Sequence, residues 1–111
     1  MITHASPTDA DFEPAEDLPG ITIAMLREDE DTGGFEALIR FEAGSVIPAH
    51  THTHADEAIL VIDGDFVVDG TPHHRGAYFY VPKGVPHGAS SSQGCTIFAR
   101  FTAEFDSVPA D

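Results

Sequence analysis

Three alternating histidines, His50, His52 and His54, are followed by Glu57 and, thirty residues further on, by His87. Imidazole is the commonest metal-binding side chain in proteins. In an extended segment, alternate side chains point to the same face, so His50 and His52 are expected to converge on one point. Two imidazoles, a nearby carboxylate and a distant third imidazole form a ligand set that suits a divalent transition metal.

The chain is strongly acidic, because it contains nineteen Asp and Glu but only five Lys and Arg, which gives a net charge of −14. Such a surface repels the phosphates of nucleic acids and anionic lipids, so neither is expected as a partner. The acid excess is typical of a halophilic protein in a salt-rich cytoplasm, where counterions screen the self-repulsion. The alternative is an ordinary acidic protein with a disordered acidic segment.

Cysteine usage and hydropathy indicate a cytoplasmic protein. Cys95 is the single cysteine, which excludes an intramolecular disulfide and a paired-cysteine zinc site. Its apolar neighbours predict a small core residue. No apolar stretch approaches the ~20 residues of a membrane span. The acidic start of the sequence lacks the basic region of a signal peptide.

Short apolar or alternating runs, separated by turns rich in Gly, Pro and Asp, predict strands rather than helices. The expected strands cover 21–26, 35–41, 46–54, 57–62, 65–68, 78–81 and 95–101. Asp63-Gly64 and Asp69-Gly70 are two-residue hairpin signals. This rhythm predicts an all-β antiparallel sandwich or barrel over residues 21–105. An acidic arm over 1–20 precedes it and a tail over 106–111 follows.

Glycines and prolines around the histidines have a spacing that resembles the two motifs of the cupin superfamily. The first motif comprises Gly44, His50, His52, Glu57 and Gly64, and the second comprises Gly76, Pro82, Gly84 and His87. The usual final asparagine of the second motif is Ser91 here. The resemblance implies a small antiparallel jelly-roll barrel, also called a double-stranded β-helix.

The resemblance also implies that His50, His52, Glu57 and His87 bind one divalent metal ion. Fe²⁺, Mn²⁺, Ni²⁺ and Zn²⁺ all suit this set, with one or two positions left for substrate or water. His54 is the odd one out, because pairing it with His52 breaks the spacing of the first motif. It is either an accessory proton-transfer residue at the mouth of the site or a solvent-facing histidine.

Within the superfamily, residues 57–66, 76–78 and 94–98 resemble the cupin domain of the anti-sigma factor ChrR. That subgroup includes small dioxygenases that act on diketones or hydroxyacetophenones. The anti-sigma role itself is not expected here, because it requires a separate zinc-binding helical domain with histidine and cysteine ligands.

Three functions are compatible with this pattern. An enzyme is favoured: a non-heme, metal-dependent dioxygenase that cleaves a C–C bond in a small diketone-like substrate. One alternative is metal-dependent isomerisation or tautomerisation of a small sugar acid, with a histidine or tyrosine moving the proton. The other is a ChrR-like sensor of a metal or ligand that performs no catalysis.

Aromatic residues are expected around the metal. Phe79 and Val81, together with Phe66, are candidates for an apolar wall that excludes water. Tyr78 or Tyr80 is a candidate hydrogen-bond donor to the substrate. We expect only one of the two tyrosines to face inward, and the alternative is that both are core aromatics.

The last predicted strand carries apolar residues on both faces, with Ile97 and Ala99 on one and Phe98 on the other. One face therefore has to be covered by something outside the core. The resemblance favours a homodimer, since cupins commonly pair through their sheets. The alternative is that the N-terminal arm covers this face.

Overall fold

Apolar alternation builds two antiparallel sheets in the computed structural model, which describes residues 2 and 4–110. The strands are β1 (Glu13–Pro14), β2 (Ile21–Glu28), β3 (Phe35–Phe41), β4 (Val46–Thr51), β5 (Glu57–Gly64), β6 (Phe66–Val68), β7 (Thr71–His73), β8 (Tyr78–Val81), β9 (His87–Ser90), β10 (Cys95–Phe101) and β11 (Val108–Pro109). One sheet has the order β1-β2-β3-β10-β5-β8 and the other β11-β4-β9-β6-β7. The predicted all-β antiparallel jelly roll is confirmed.

The strands with clear apolar periodicity are those that the sequence predicts. β2, β3, β5, β8 and β10 all contain their predicted segments. The predicted strand over 46–54 is too long, because β4 ends at Thr51. Four strands of two to four residues, β1, β7, β9 and β11, were not predicted. They are too short to show a periodicity.

The hairpin predicted at Asp63-Gly64 is wrong. β5 lies in the six-stranded sheet and β6 in the five-stranded sheet, so the chain crosses between the sheets at this point. Gly64 has a φ of 74°, and a Cβ there would lie 2.0 Å from the carbonyl oxygen of Gly94. The Asp-Gly pair therefore makes a sharp corner, and a local signal does not reveal whether the next strand joins the same sheet.

The second hairpin signal, Asp69-Gly70, is confirmed. It joins β6 to β7, with Val68 opposite Thr71 across the two-residue turn. Both turn residues have positive φ, 51° and 77°, as a type I′ turn requires.

The core lies between the inner faces of the two sheets. Its buried apolar members come from both sheets and from the segment before β5: Ile21, Ile39, Phe41, Ala55, Ile59, Val61, Phe66, Cys95, Ile97, Ala99 and Phe101. Cys95 is the predicted core residue, and burial raises the pKa of its thiol to about 11.

No helix in residues 2 and 4–110 is long and apolar enough to cross a membrane.

The N-terminal arm packs on the outer face of the six-stranded sheet. Arg40 of β3 places its guanidinium 3.9 Å from the centre of the Phe12 ring and donates a hydrogen bond of 2.8 Å to the carbonyl of Pro7. At the other end of this face, Leu60 and Tyr78 are exposed by 41% and 63%. The arm therefore covers the β2–β3 side and leaves the β5–β8 side open.

Candidate metal centre

Three of the predicted ligands meet where β4 ends and β9 begins, in the five-stranded sheet. His50 near the end of β4 lies directly opposite His87, the first residue of β9. His52 follows β4 by one residue and is 3% exposed. One ring nitrogen from each histidine lies within 4.8 Å of the others. This spacing allows a single ion to contact all three rings.

Glu57 reaches the same point from the opposite sheet, as the first residue of β5. Its Oε1 lies 3.3 Å from Nε2 of His52 and 3.1 Å from Nε2 of His87. Burial opposes its ionisation, but the bonds to these two histidines outweigh burial and lower the pKa of Glu57 below its ordinary value. The carboxylate is therefore available as an anionic ligand beside the histidines.

Backbone carbonyls fix the tautomer of each histidine. Nδ1 of His50 lies 2.8 Å from the oxygen of Pro48, Nδ1 of His52 lies 2.6 Å from that of Asp106, and Nδ1 of His87 lies 3.1 Å from that of Val85. Because a carbonyl oxygen can only accept, each Nδ1 has to carry its proton and donate. In the neutral rings, Nε2 then presents a lone pair to the cluster.

The donor set therefore calls for a cation. Nε2 of His50 and Nε2 of His52 are only 3.2 Å apart, and two lone pairs at that distance repel unless a proton or a metal ion lies between them. The residues present thus fit a divalent metal. Sequence reasoning missed Asp106, whose carbonyl orients His52 from 54 residues away, because no local pattern marks such a partner.

The protonation tendencies of the two adjacent histidines differ. Burial lowers the pKa of His50 below its ordinary value. Burial also opposes charge on His52, but its bonds to Glu57 and to the Asp106 carbonyl outweigh this and raise the pKa of His52. In the metal-free protein, His52 is therefore the ring that more readily holds the shared proton.

The structure does not bring the predicted catalytic residues to this cluster. His54 is exposed and lies two residues beyond His52, on the solvent side. Tyr78 and Tyr80 are 63% and 54% exposed, on the outer face of β8. The expectation that only one tyrosine faces inward is wrong, because residues two apart in a strand share a face. The Asp56 carboxylate instead raises the pKa of Tyr80 above its ordinary value.

A cavity of about 720 Å³ between the two sheets borders the cluster. Phe66 lines it as predicted, whereas Phe79 and Val81 do not; Phe79 packs against Phe66 on the far side. Sequence reasoning missed Phe105, which lies 5.2 Å from the His52 ring and lines the cavity next to the cluster. It belongs to an irregular segment in which no strand pattern predicts the direction of a side chain.

Ser91, at the position of the usual asparagine, has a structural contact. It is buried and donates a hydrogen bond of 2.8 Å to the carboxylate of Asp65 at the crossover between the sheets. Its side chain thus holds the corner that follows β5.

Other proteins of known structure share this architecture. The polyketide cyclase RemF from Streptomyces resistomycificus superposes with a TM-score of 0.81 at 19% identity, over 100% of this chain and 87% of its own. An acetylacetone dioxygenase from Acinetobacter johnsonii gives a TM-score of 0.76 at 18% identity, over 92% and 73% of the two chains. At these identities, the similarity shows the fold.

One curated relative and one family match the sequence itself. The DNA damage-repair/toleration protein DRT102 of Arabidopsis thaliana is 27% identical over 101 residues, which are 86% of this chain and 31% of the relative. The chain thus spans about a third of that protein. The ChrR cupin-like domain family matches residues 3–103, nearly the whole sequence. The chain therefore belongs to the ChrR cupin-like domain family.

Proposed function

We propose that this protein is a non-heme, metal-dependent dioxygenase that acts on a diketone-like substrate. One observation carries the proposal: Nε2 atoms of His50, His52 and His87 converge, with tautomers fixed for metal binding, on the wall of an apolar cavity. With Glu57, these residues would hold the ion. When bound, an open-sided Fe²⁺ or related metal supplies coordination positions for an oxygenated substrate and for O₂.

The residues of this chain prepare the site for such a ligand. The backbone carbonyls of Pro48, Asp106 and Val85 hold the rings in place, which limits reorganisation when a ligand enters. The apolar walls exclude water and strengthen the electrostatic interactions of the site. Structural similarity to an acetylacetone dioxygenase supports the proposal at the level of the fold.

The test begins with metal analysis of protein purified without chelator, followed by an O₂-uptake assay with the iron-loaded protein and acetylacetone. We expect His50→Ala and Glu57→Gln to lose metal and O₂ uptake together. His54→Ala, which alters an exposed histidine of the same run, is the matched control and should keep both. Full turnover in His50→Ala or Glu57→Gln would reject the proposal.

Family membership supports a second function, sensing of a ligand or metal without turnover. Stoichiometric metal without O₂ uptake on any diketone would favour it. Turnover of a sugar acid without O₂ would instead favour an isomerase or tautomerase.

We further propose a cytoplasmic homodimer. Leu60, Tyr78 and Tyr80 form an exposed patch on the outer face of β5 and β8 that a second copy could cover. Light scattering should give twice the mass of 11.9 kDa, and Tyr78→Glu should return the monomer. A monomeric wild-type protein would overturn this part of the proposal.

A further inference from the structure

Residues 104–110, the C-terminal strap, form one wall of the cavity beside the histidine cluster. Within the strap, β11 is an edge strand of the five-stranded sheet and pairs with the part of β4 that carries His50. Phe105, Ser107 and Pro109 line the cavity, as expected of alternate residues in an extended segment. The cavity would therefore open on this side if the strap moved away.

Few contacts hold the strap to the barrel. None of residues 104–110 is buried, and the large apolar side chains of Phe105 and Val108 are exposed by 51% and 45%. β11 contains only two residues, whereas β3 and β10 contain seven each and pair along their whole length. Segments with little buried apolar surface open at a much lower free energy than the core of the same domain. We therefore expect the strap to detach while the barrel stays folded.

The hydrogen bonds of the strap converge on the segment that carries the histidines. In the described part of the chain, all of them join the strap to β4 and the three residues that follow it. The Asp106 carbonyl accepts a bond of 2.6 Å from Nδ1 of His52, and the Asp106 carboxylate accepts one of 2.9 Å from the backbone nitrogen of Thr53. The backbone nitrogen of Ala110 donates a bond of 3.0 Å to the carbonyl of Ala49. The same contacts therefore set the position of the strap and the orientation of the His52 ring.

Phe105 lies where the cavity meets solvent. Its ring is half-exposed and also contacts the wall, with ring centres 5.2 Å from His52, 5.4 Å from Phe101 and 6.1 Å from Phe35. Aromatic pairs at these distances attract one another only weakly. Because the ring belongs to the strap, it leaves the wall whenever the strap detaches. Phe105 is therefore placed to be the moving part of an entrance.

We infer that the C-terminal strap is a lid on the cavity, with Phe105 as its gate, and that a metal ion in the histidine cluster holds the lid closed. The lid depends only on the contacts of the strap, whereas its link to the metal rests on the proposed function. An ion on Nε2 of His52 would fix the ring and strengthen the bond that Nδ1–H donates to the Asp106 carbonyl. By reciprocity, an open strap would weaken metal binding by the same factor.

Hydrogen exchange, followed for single amides by NMR in the metal-free protein, tests the lid. The amides of Ala110 and Thr53 donate across the joint between strap and barrel, whereas the buried Val61 donates to the carbonyl of Ala77 within the barrel. We expect protection of Ala110 and Thr53 to be at least about a hundredfold lower than that of Val61. One common protection factor for all three amides would overturn the lid.

Saturating Zn²⁺ tests the link between the lid and the metal. We expect it to slow the exchange of the Ala110 amide by at least about tenfold, because the open state binds the ion more weakly. Asp106→Ala loses both bonds to Thr53 and should speed this exchange by about tenfold without metal. Glu104→Ala removes the same charge from the strap and is the control, which should leave the exchange unchanged. Retained protection of Val61 shows that the barrel of each variant is folded. Exchange of Ala110 that zinc does not slow would overturn the link.

The entry of naphthalene tests the gate. This hydrocarbon offers no donor atom to a metal, and the chain contains no tryptophan to mask its fluorescence. In stopped-flow mixing, we expect Phe105→Ala to speed entry by at least about threefold, and saturating Zn²⁺ to slow entry into the wild type by about as much. Phe12→Ala removes a ring that packs on Arg40 outside the cavity and should change nothing. Equal entry rates in the wild type and Phe105→Ala would overturn the gate, as would failure of naphthalene to enter any of these proteins.

The inference and the proposed function fail in different ways. Faster exchange of the strap amides in the metal-free protein, together with faster naphthalene entry in Phe105→Ala, supports the lid even where no metal binds and no O₂ is consumed. Zinc that binds without slowing the exchange of Ala110 overturns the link, even where the iron-loaded protein consumes O₂ with acetylacetone.

Discussion

At the scale of single residues, His52 has the most constrained side chain of the cluster. Its Nδ1 donates to the Asp106 carbonyl, its Nε2 faces His50 and Glu57, and its ring meets Phe105 at 5.2 Å. The segment that contains Asp106 is itself held by Thr53, whose backbone nitrogen donates a hydrogen bond of 2.9 Å to the Asp106 carboxylate. The orientation of the proposed metal-binding side chain of His52 thus depends on Asp106, a residue outside the barrel strands.

Asp106→Ala should weaken metal binding although the side chain does not reach the cluster. The substitution removes both bonds to Thr53, so the backbone carbonyl that orients His52 is no longer held. We expect a fall in Zn²⁺ affinity of about tenfold, at the low end for residues that orient ligands. Competition titration with a chromophoric chelator measures this directly. Glu104→Ala removes the same charge from the same segment and should leave the affinity unchanged; an equal loss in both variants would refute a specific role.

Asp65 is the second residue whose contacts allow a prediction. Its carboxylate accepts bonds from the side chains of Ser92 and Ser91 and from the backbone nitrogens of Gln93 and Ser92, and these hold the pKa of Asp65 far below its ordinary value. A group with a depressed folded-state pKa stabilises the fold above its unfolded pKa. That contribution is lost as the pH falls toward the folded value.

Asp65→Asn should therefore lower the melting temperature by several degrees at pH 7, because the amide cannot accept all of these bonds. The difference from wild type should be constant above the ordinary pKa of 3.8 and shrink at lower pH. Thermal denaturation across this range checks both parts. Asp63→Asn, at an exposed position two residues away, should show neither effect. A difference that does not depend on pH would contradict the argument.

At the scale of elements, the corner between β5 and β6 fixes how the two sheets meet. Gly64 combines a positive φ with the close approach of Gly94, whereas Gly70 has a similar φ and open space around it. We expect Gly64→Ala to cost about 2–4 kcal/mol of unfolding free energy and Gly70→Ala about 1 kcal/mol. Urea denaturation of the two variants measures the difference. Equal losses of unfolding free energy in the two variants would mean that the close approach of Gly94 to Gly64 does not affect stability.

The sequence predicted elements that contain a long apolar or alternating run, as in β3 and β10. It failed where geometry is decided by residues far away. β9 begins at His87 and runs through Gly-Ala-Ser, which has no alternation of its own; its strand character comes from pairing with β4. The Asp63-Gly64 signal correctly marked a corner, but sheet membership is a property of the whole topology.

The candidate centre was predicted more fully than its surroundings. The resemblance to the cupin motifs implied the set of His50, His52, Glu57 and His87, which the structure brings together. The wall of the cavity could not be predicted from sequence, because it depends on which strand end meets which across the sandwich.

At the scale of the whole molecule, the excess of acidic residues should make stability depend on salt. At a net charge of −14, self-repulsion opposes the compact state, and the Debye length falls from about 10 Å at 0.1 M to about 3 Å at 1 M. We expect the melting temperature to rise by several degrees between about 0.1 M and 1 M KCl.

Thermal denaturation at both KCl concentrations measures the effect of screening. Sucrose strengthens apolar burial without screening charge, so it is the control and should give a smaller rise. Equal melting temperatures at low and high KCl would remove the salt-adapted interpretation.

The origin of Glu57 in the other sheet has a mechanical consequence. His50 and His87 pair within the five-stranded sheet, whereas Glu57 begins a strand of the six-stranded sheet. An ion held by all of them would fasten the two halves of the sandwich at one rim of the cavity, in a chain whose single cysteine provides no covalent tie. Without the ion, the contacts of Glu57 with His52 and His87 still join the two sheets at this rim, and a bound metal would strengthen that link and stiffen the opening of the cavity.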